Sequence, residues 1–313
     1  DEVGEDDIHL VGGKGLRLAE MAQAGLPVLP GFCVTTVAYR AFLLHNGLET
    51  VVSAADETAV RDHIATAELP TYVAGAIREA YEALSGPVAV RSSATAEDSQ
   101  DASFAGQYDT FLNVTGSEAV LEKVRACWAG LWSERALTYM REQGLDPFQA
   151  DMGVVLQRQG RVNAAGVLFT LNPLTGREEE MVVEAAWGLG EAVVSGRVTP
   201  DHYVVNALDR KVLTRDIVNQ SVVLVTDDDG GGVRESPLPS NQYGHPVLSD
   251  DQLLELTELG YRVQALYGYP QDIEWALVDG DCKQDAGGFV LLQTRPLTSF
   301  SFAPELGQWT SGN

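Results

Sequence analysis

The chain has 313 residues, 45% of them hydrophobic, and a formal net charge of −24 from 45 Asp+Glu against 21 Lys+Arg. That length exceeds the usual single domain, so two lobes are expected, with apolar residues enough for sizeable cores. The charge argues against nucleic acid as a partner, since backbone binding needs clustered Lys/Arg, and no apolar run approaches a membrane span.

In chain order, Val11-Gly12-Gly13-Lys14-Gly15 reads as a loop, followed by a helix with Leu18, Met21 and Ala22 at helical spacing and Gly25 as its stop. A lysine at a helix entrance opposes the helix dipole, and a bound phosphate would resolve that conflict. This is not a Walker motif, because Gly15 follows Lys14 where that motif needs Ser or Thr. Alone, Lys14 fits a phosphate ligand and a solvent-exposed loop residue equally. Pro27, Pro30 and Gly31 break the pattern, and helices are expected over 37–46, 58–68 and 72–84. A short strand over 88–90 then delivers Arg91 at its end, followed by Ser92 and Ser93. Arginine offers a planar fork matched to phosphate oxygens. An ordinary capped turn, with Arg91 paired to Glu97 or Asp98, accounts for the same pattern. The loop Ser103-Phe104-Ala105-Gly106-Gln107-Tyr108-Asp109-Thr110 is small and hydroxyl-bearing, able to approach a polyphosphate closely.

A long helix is expected over 117–143, with Trp128 and Trp132 as core residues rather than ligand contacts. The chain then turns strand-rich, over 152–157, 165–170, 181–186, 202–206, 211–214 and 222–225. Trp187-Gly188-Leu189-Gly190-Glu191-Ala192-Val193 resembles a dinucleotide fingerprint but lacks its third glycine, so close backbone packing or a substrate-side loop is expected there. Ser249 caps a helix running to about Tyr267, stopped by Gly268. The three cysteines, Cys33, Cys127 and Cys282, lack C-x-x-C spacing and read as reduced thiols of a cytoplasmic protein. The five histidines form no catalytic or metal cluster. The order of elements suggests an α+β organisation, helix-rich over 1–160 and sheet-rich over 161–300.

Two runs near the end carry the strongest signal. Residues 272–278 and 289–296 form a hairpin in which alternation places side chains on two faces. If Val278 pairs with Phe289, Glu274 lies opposite Gln293 and Asp272 opposite Arg295. The other face is then apolar: Ile273, Trp275 and Leu277 against Thr294, Leu292 and Val290. Oxygen ligands beside a cation suit Mg²⁺ carrying phosphate, since that ion takes few protein oxygens and completes its shell from substrate.

Together, Val11-Gly12-Gly13-Lys14, residues 90–98, residues 103–107, Gly166-Val167-Leu168-Phe169-Thr170, Asp272-Ile273-Glu274-Trp275 and Gln293-Thr294-Arg295-Pro296 resemble the ATP-binding domain of the phosphoenolpyruvate synthase, pyruvate phosphate dikinase and rifampin phosphotransferase family. Residues 127–136 and 170–176 look more like the rifampin phosphotransferase branch. The resemblance spans nearly the whole chain and implies an ATP-grasp fold, two lobes with a nucleotide cleft between them. It implies that Lys14, Arg91, Gly106 and Thr110 hold phosphates and that Gln157 sits by adenine and ribose. Glu274 and Gln293 would hold Mg²⁺, with Arg295 completing the floor; Lys14, Arg91 and Arg295 would be the catalytic cations. The family's Gly-rich histidine motif and its acceptor domain do not occur here, and 301–313 reads as the start of a linker to them. The resemblance therefore implies a phosphotransferase half that binds ATP and passes its β-phosphoryl group to a histidine on a separate swivelling domain. That histidine would serve a small-molecule acceptor, a rifamycin-like antibiotic or another, giving AMP and phosphate. The alternatives are a stand-alone ATP-binding subunit of a phenol- or pyruvate-phosphorylating system and a non-catalytic nucleotide-binding module.

Overall fold

The computed structural model describes residues 3–48, 57–95, 108–146, 149–227, 231–280 and 287–297. Its architecture is α+β, and the chain divides into two compact units. The first comprises Asp1–Glu20, Leu29–Gln159 and Asp227–Gly232; the second comprises Met21–Val28, Gly160–Thr226 and Val233–Asn313.

The chain opens with helix α1 (Ile8–Gln23). The loop expected at Val11–Gly15 is reduced to one residue, Gly12, whose φ of 71° and ψ of 174° kink a helix that otherwise continues. Positive φ is readily available only to glycine, and a Cβ on Gly12 would stand 2.1 Å from the Ser93 carbonyl oxygen. Strand β1 (Gly31–Val34) and helices α2 (Thr36–His45), α3 (Glu57–Thr66) and α4 (Thr71–Leu84) follow. The short strand expected at 88–90 is longer, β2 (Val88–Ala94), so Arg91 stands in mid-strand rather than at its end. Strand β3 (Thr110–Val114) starts on the last residue of the expected loop, over a stretch for which no element was expected.

The expected helix over 117–143 is two helices, α5 (Ser117–Gly130) and α6 (Glu134–Glu142). Ser133 starts the second, its hydroxyl accepting the Ala136 N–H at 3.2 Å. Strand β4 (Met152–Arg158) completes an antiparallel sheet of order β1-β4-β2-β3. One face of that sheet, with Val88, Val90, Val154 and Leu156, packs into the core beside Val120, Val124 and Trp128. Trp128 is fully buried, with ring centroids 5.6 Å from Tyr39 and 5.0 Å from Phe42, the core role expected of it.

The second unit is built on β5 (Val162–Phe169), β6 (Glu180–Trp187), the one-turn helix α7 (Glu191–Val194), β7 (Asp201–Asn206) and β8 (Lys211–Asp216). A hairpin, β9 (Val222–Thr226) and β10 (Val233–Pro237), precedes helix α8 (Asp250–Tyr267) and strands β11 (Gln271–Val278) and β12 (Gly288–Pro296). The main sheet is antiparallel throughout, in the order β12-β11-β5-β6-β7-β8. Ser249 and Gln252 cap α8 reciprocally, and Gly268 ends it in the left-handed region, as expected. Leu253, Leu256 and Val263 of α8 are buried, and a Cβ on its Gly260 would lie 2.5 Å from Leu168 Cδ2, so the helix covers the face of β5 that bears Leu168.

Gly188 (φ 78°) lies so close to the Leu224 carbonyl that a Cβ would come within 2.4 Å of its oxygen. Leu189 donates its N–H to that same oxygen at 2.9 Å. Gly188 thus serves close backbone packing, and every ladder between the described strands is antiparallel, unlike a dinucleotide fold. Among the described residues no helix is long and apolar enough to cross a membrane.

Candidate functional site

In the first unit, the sheet face opposite the core carries the polar residues. Alternation along β2 sends Val88 and Val90 into the core and leaves Ala89, Arg91 and Ser93 on the other side. Across the ladders Arg91 is paired with Thr110 of β3 and with Val155 of β4, and Val155 is paired with Cys33 of β1. Those four form one row. The next row on this face holds Gln157 between Ala89 and Gly31. Arg91 and Gln157 are buried, and Thr110 is exposed at the sheet edge. Gln157 donates from Nε2 to the Leu29 carbonyl at 3.2 Å.

The row on the other side of Arg91 pairs Ser93 with Gly153, and here α1 is seated. The Ser93 hydroxyl donates to the Val11 carbonyl at 2.7 Å and accepts the Gly15 N–H at 3.0 Å. A Cβ on Gly153 would come within 2.8 Å of the Val11 oxygen. Lys14 therefore stands in the first turn after the kink, at the helix end whose dipole favours anions. Its turn is held one row, about 7 Å along the strand, from Arg91. The Ser93 hydroxyl is occupied by backbone and is not a spare phosphate ligand.

Burial pushes the Cys33 thiol up to about 12, against a smaller lowering by the Val154 backbone. At neutral pH the sulfur is a neutral thiol and not a nucleophile.

In the second unit, β11 and β12 carry the remaining candidates. Asp272 lies opposite Arg295 and Glu274 opposite Gln293, the pairs expected. The pairing assumed to generate them does not hold: Phe289 faces Leu277, and Val278 faces Gly288. A register shift between Glu274 and Trp275 reconciles the two, with Leu292 as the additional residue of a β-bulge. Trp275 accordingly faces Leu291, and the apolar face expected opposite Leu292 and Val290 is moved by one residue. Leu292 and Gln293 are both half-buried, between fully buried Leu291 and Thr294, which is the pattern a bulge leaves.

Arg295 is ion-paired: its Nη2 lies 2.6 Å from Asp272 Oδ2 and its Nε donates to the same oxygen at 2.8 Å. The face also extends across the sheet, since Glu274 is level with Val167, Glu184, His202 and Asp216 on successive strands. The involvement of Asp272 was visible in the register; that of Glu184 required the strand order. Glu274 and Gln293 together supply one carboxylate and one amide oxygen. These are hard donors too few to fill a shell, which suits Mg²⁺ completed by phosphate oxygens. Among the described residues no group of three or more His, Cys, Asp or Glu is placed to hold a metal.

Gly106, the loop 103–107, the carboxylates Glu97 and Asp98, Cys282 and the tail 301–313 lie outside the described residues.

A nucleotide-binding domain is the class that comparison with known proteins returns. Residues 8–306 match the family described as pyruvate phosphate dikinase, AMP/ATP-binding domain, and the chain belongs to that family. It is 42% identical over 326 residues to the "Probable phosphoenolpyruvate synthase" of Methanothermobacter thermautotrophicus, across 97% of this chain and 46% of that protein. It is 36% identical over 357 residues to the phosphoenolpyruvate synthase of Pyrococcus furiosus, across 96% of this chain and 43% of that protein. To the rifampicin phosphotransferase of a Streptomyces species it is 42% identical over 312 residues, across 94% of this chain and 35% of that protein. The chain thus spans less than half the length of each of these relatives, and equal identity to the first and third favours neither branch.

Proposed function

We propose that the chain is the Mg·ATP-binding, ATP-grasp portion of a dikinase-type phosphotransferase. Lys14, Arg91, Gly106 and Thr110 contact the phosphates and Gln157 the adenosine, while Glu274 and Gln293 hold the metal beside Arg295. The observation that carries this reading is the placement of Glu274 opposite Gln293, one row from Arg295, on a single sheet face. When bound, Mg²⁺ supplies charge neutralisation for the polyphosphate. The chain's own residues position that polyphosphate so that the β-phosphorus is presented to a histidine on a separate swivelling domain. Phosphoryl transfer asks for placement and electrostatics rather than covalent help from this domain. Attack of the histidine nitrogen on the β-phosphorus breaks the α–β bond and releases AMP. Water cleaves the β–γ bond and carries the γ-phosphoryl group away as inorganic phosphate. The phosphohistidine that remains serves a small-molecule acceptor, in the manner that the names of the relatives suggest. A cytoplasmic setting, where ATP is available, belongs to the same reading.

Calorimetry with Mg·ATP on wild type and on Lys14→Ala, Arg91→Ala and Glu274→Ala tests it. Each variant is expected to lose affinity, by about 2–5 kcal/mol where one partner of a buried, hydrogen-bonded charge pair is removed. Three variants with wild-type affinity would dismiss the assignment.

A further inference from the structure

We infer that Thr294 and Gln271, with Thr170, are positioning residues that set the register of the Asp272–Arg295 and Glu274–Gln293 pairs. The inference rests on the Mg·ATP reading above. All three side chains are fully buried. Thr294 Oγ1 donates to Gln271 Oε1 at 2.8 Å. Gln271 Nε2 donates to the carbonyls of Tyr269 and Pro270 at 3.1 and 3.3 Å. The Gln271 N–H donates to Thr170 Oγ1 at 2.8 Å, and the Thr170 N–H donates back to the Gln271 carbonyl at 3.0 Å. The buried amide therefore has a partner for each donor and for its oxygen, and a bonded buried network of this kind favours one geometry.

Its location gives it a task. Gln271 immediately precedes Asp272, and Thr294 stands between Gln293 and Arg295. Alternation turns these two side chains away from the face of the candidate ligands. Thr294 and Gln271 are diagonal neighbours, since Gln271 is paired with Pro296 and Ile273 with Thr294. The bulge at Leu292 separates residues 293–296 from the register of the rest of β12. A slip of one residue there would carry Gln293 and Arg295 to the wrong face. The hydroxyl-to-amide bond pins the register on the functional side of that bulge, and Thr170 ties the same level to β5.

The test titrates ATP by calorimetry into the full chain, with and without Mg²⁺, for wild type, Thr294→Val and Thr294→Ser, alongside melting curves. Thr294→Val is expected to weaken Mg²⁺-dependent ATP binding by about 10- to 100-fold, the range seen when partners that orient metal ligands are lost. The loss should be larger with Mg²⁺ than without, and Thr294→Ser should restore it. If Thr294→Val does not fold, Thr294→Ala, which removes the hydroxyl without adding bulk, takes its place. A folded variant with a lower melting temperature and wild-type Mg²⁺ dependence would overturn the inference. Wild-type ATP binding indifferent to Mg²⁺ would instead count against the proposed function.

Discussion

Asp272 and Arg295 meet across the β11–β12 ladder through one carboxylate oxygen, Oδ2, which receives Nε at 2.8 Å and lies 2.6 Å from Nη2. The carboxylate is the more enclosed partner, its side chain 9% exposed against 28% for the arginine. The pair thus fixes the orientation of the guanidinium fork while keeping a buried anion compensated.

Removing the cation takes this ion pair from a buried carboxylate. Arg295→Gln is expected to cost about 2–3 kcal/mol of stability, less than the 3–5 of a fully buried pair because water screens the arginine. Adding Asp272→Asn to that variant should recover part of the loss, since the buried carboxylate that lost the ion pair is then neutral. Urea unfolding of the single and double variants measures both effects. A single variant as stable as wild type would show that the pair is ornamental to the fold.

The kink of α1 offers a second measurement. Ser93→Ala takes the hydroxyl donor from the Val11 carbonyl, leaving it the weak 3.6 Å contact of the Cys33 thiol, and takes the acceptor from the Gly15 N–H in one step. The expected loss is on the order of 1–3 kcal/mol, the penalty for buried polar groups left unpaired. Gly12→Ala should be worse, because it adds a positive-φ residue whose Cβ has backbone 2.1 Å away. Chemical denaturation gives the ranking; Gly12→Ala milder than Ser93→Ala would contradict the account of the kink.

These residues also show what can be read before folding. Helix α8 was legible at both ends because Ser249, Gln252 and Gly268 act locally. The pairs of the hairpin were legible because alternation with period two is local as well, although the count through the loop missed the bulge at Leu292. A bulge adds one residue without changing composition, so nothing in the sequence announces it. The split between α5 and α6 had a signal in Ser133, outweighed by the apolar stripe that runs through Trp128 and Trp132. Strand β3 was hidden by Asn113, whose φ of 54° belongs to no regular strand and whose N–H is received by Gln159 Oε1 at 2.6 Å. That bond joins residues 46 apart, and such pairing leaves no local trace. The bonds between Ser93 and α1 are of the same kind, spanning 78 and 82 residues, so Lys14 and Arg91 were readable as chemistry while the seating of α1 on β2 was not.

The turn after Thr170 carries a pH dependence with a definite sign. Burial alone would raise the Glu180 carboxyl, but donation from Arg177 at 2.8 Å and from Asn172 at 2.8 Å, with Thr175 contributing, holds it below its usual range. A carboxylate with a lowered folded pKa contributes stability that is complete above its unfolded value, about 4.3. That contribution is lost as pH falls from there through the folded pKa, because the unfolded chain binds the proton first. Glu180→Gln keeps an oxygen to accept from Asn172 but has no charge for Arg177 and no proton to bind. The wild type is therefore expected to lose more stability than Glu180→Gln over the acid window beginning near the unfolded value, with the two profiles parallel above it. Urea midpoints collected at stepped pH from neutrality into that window give the comparison. Profiles that stay parallel throughout would mean that the carboxylate titrates alike in folded and unfolded chains, and that the hydrogen bonds to it are not maintained in solution.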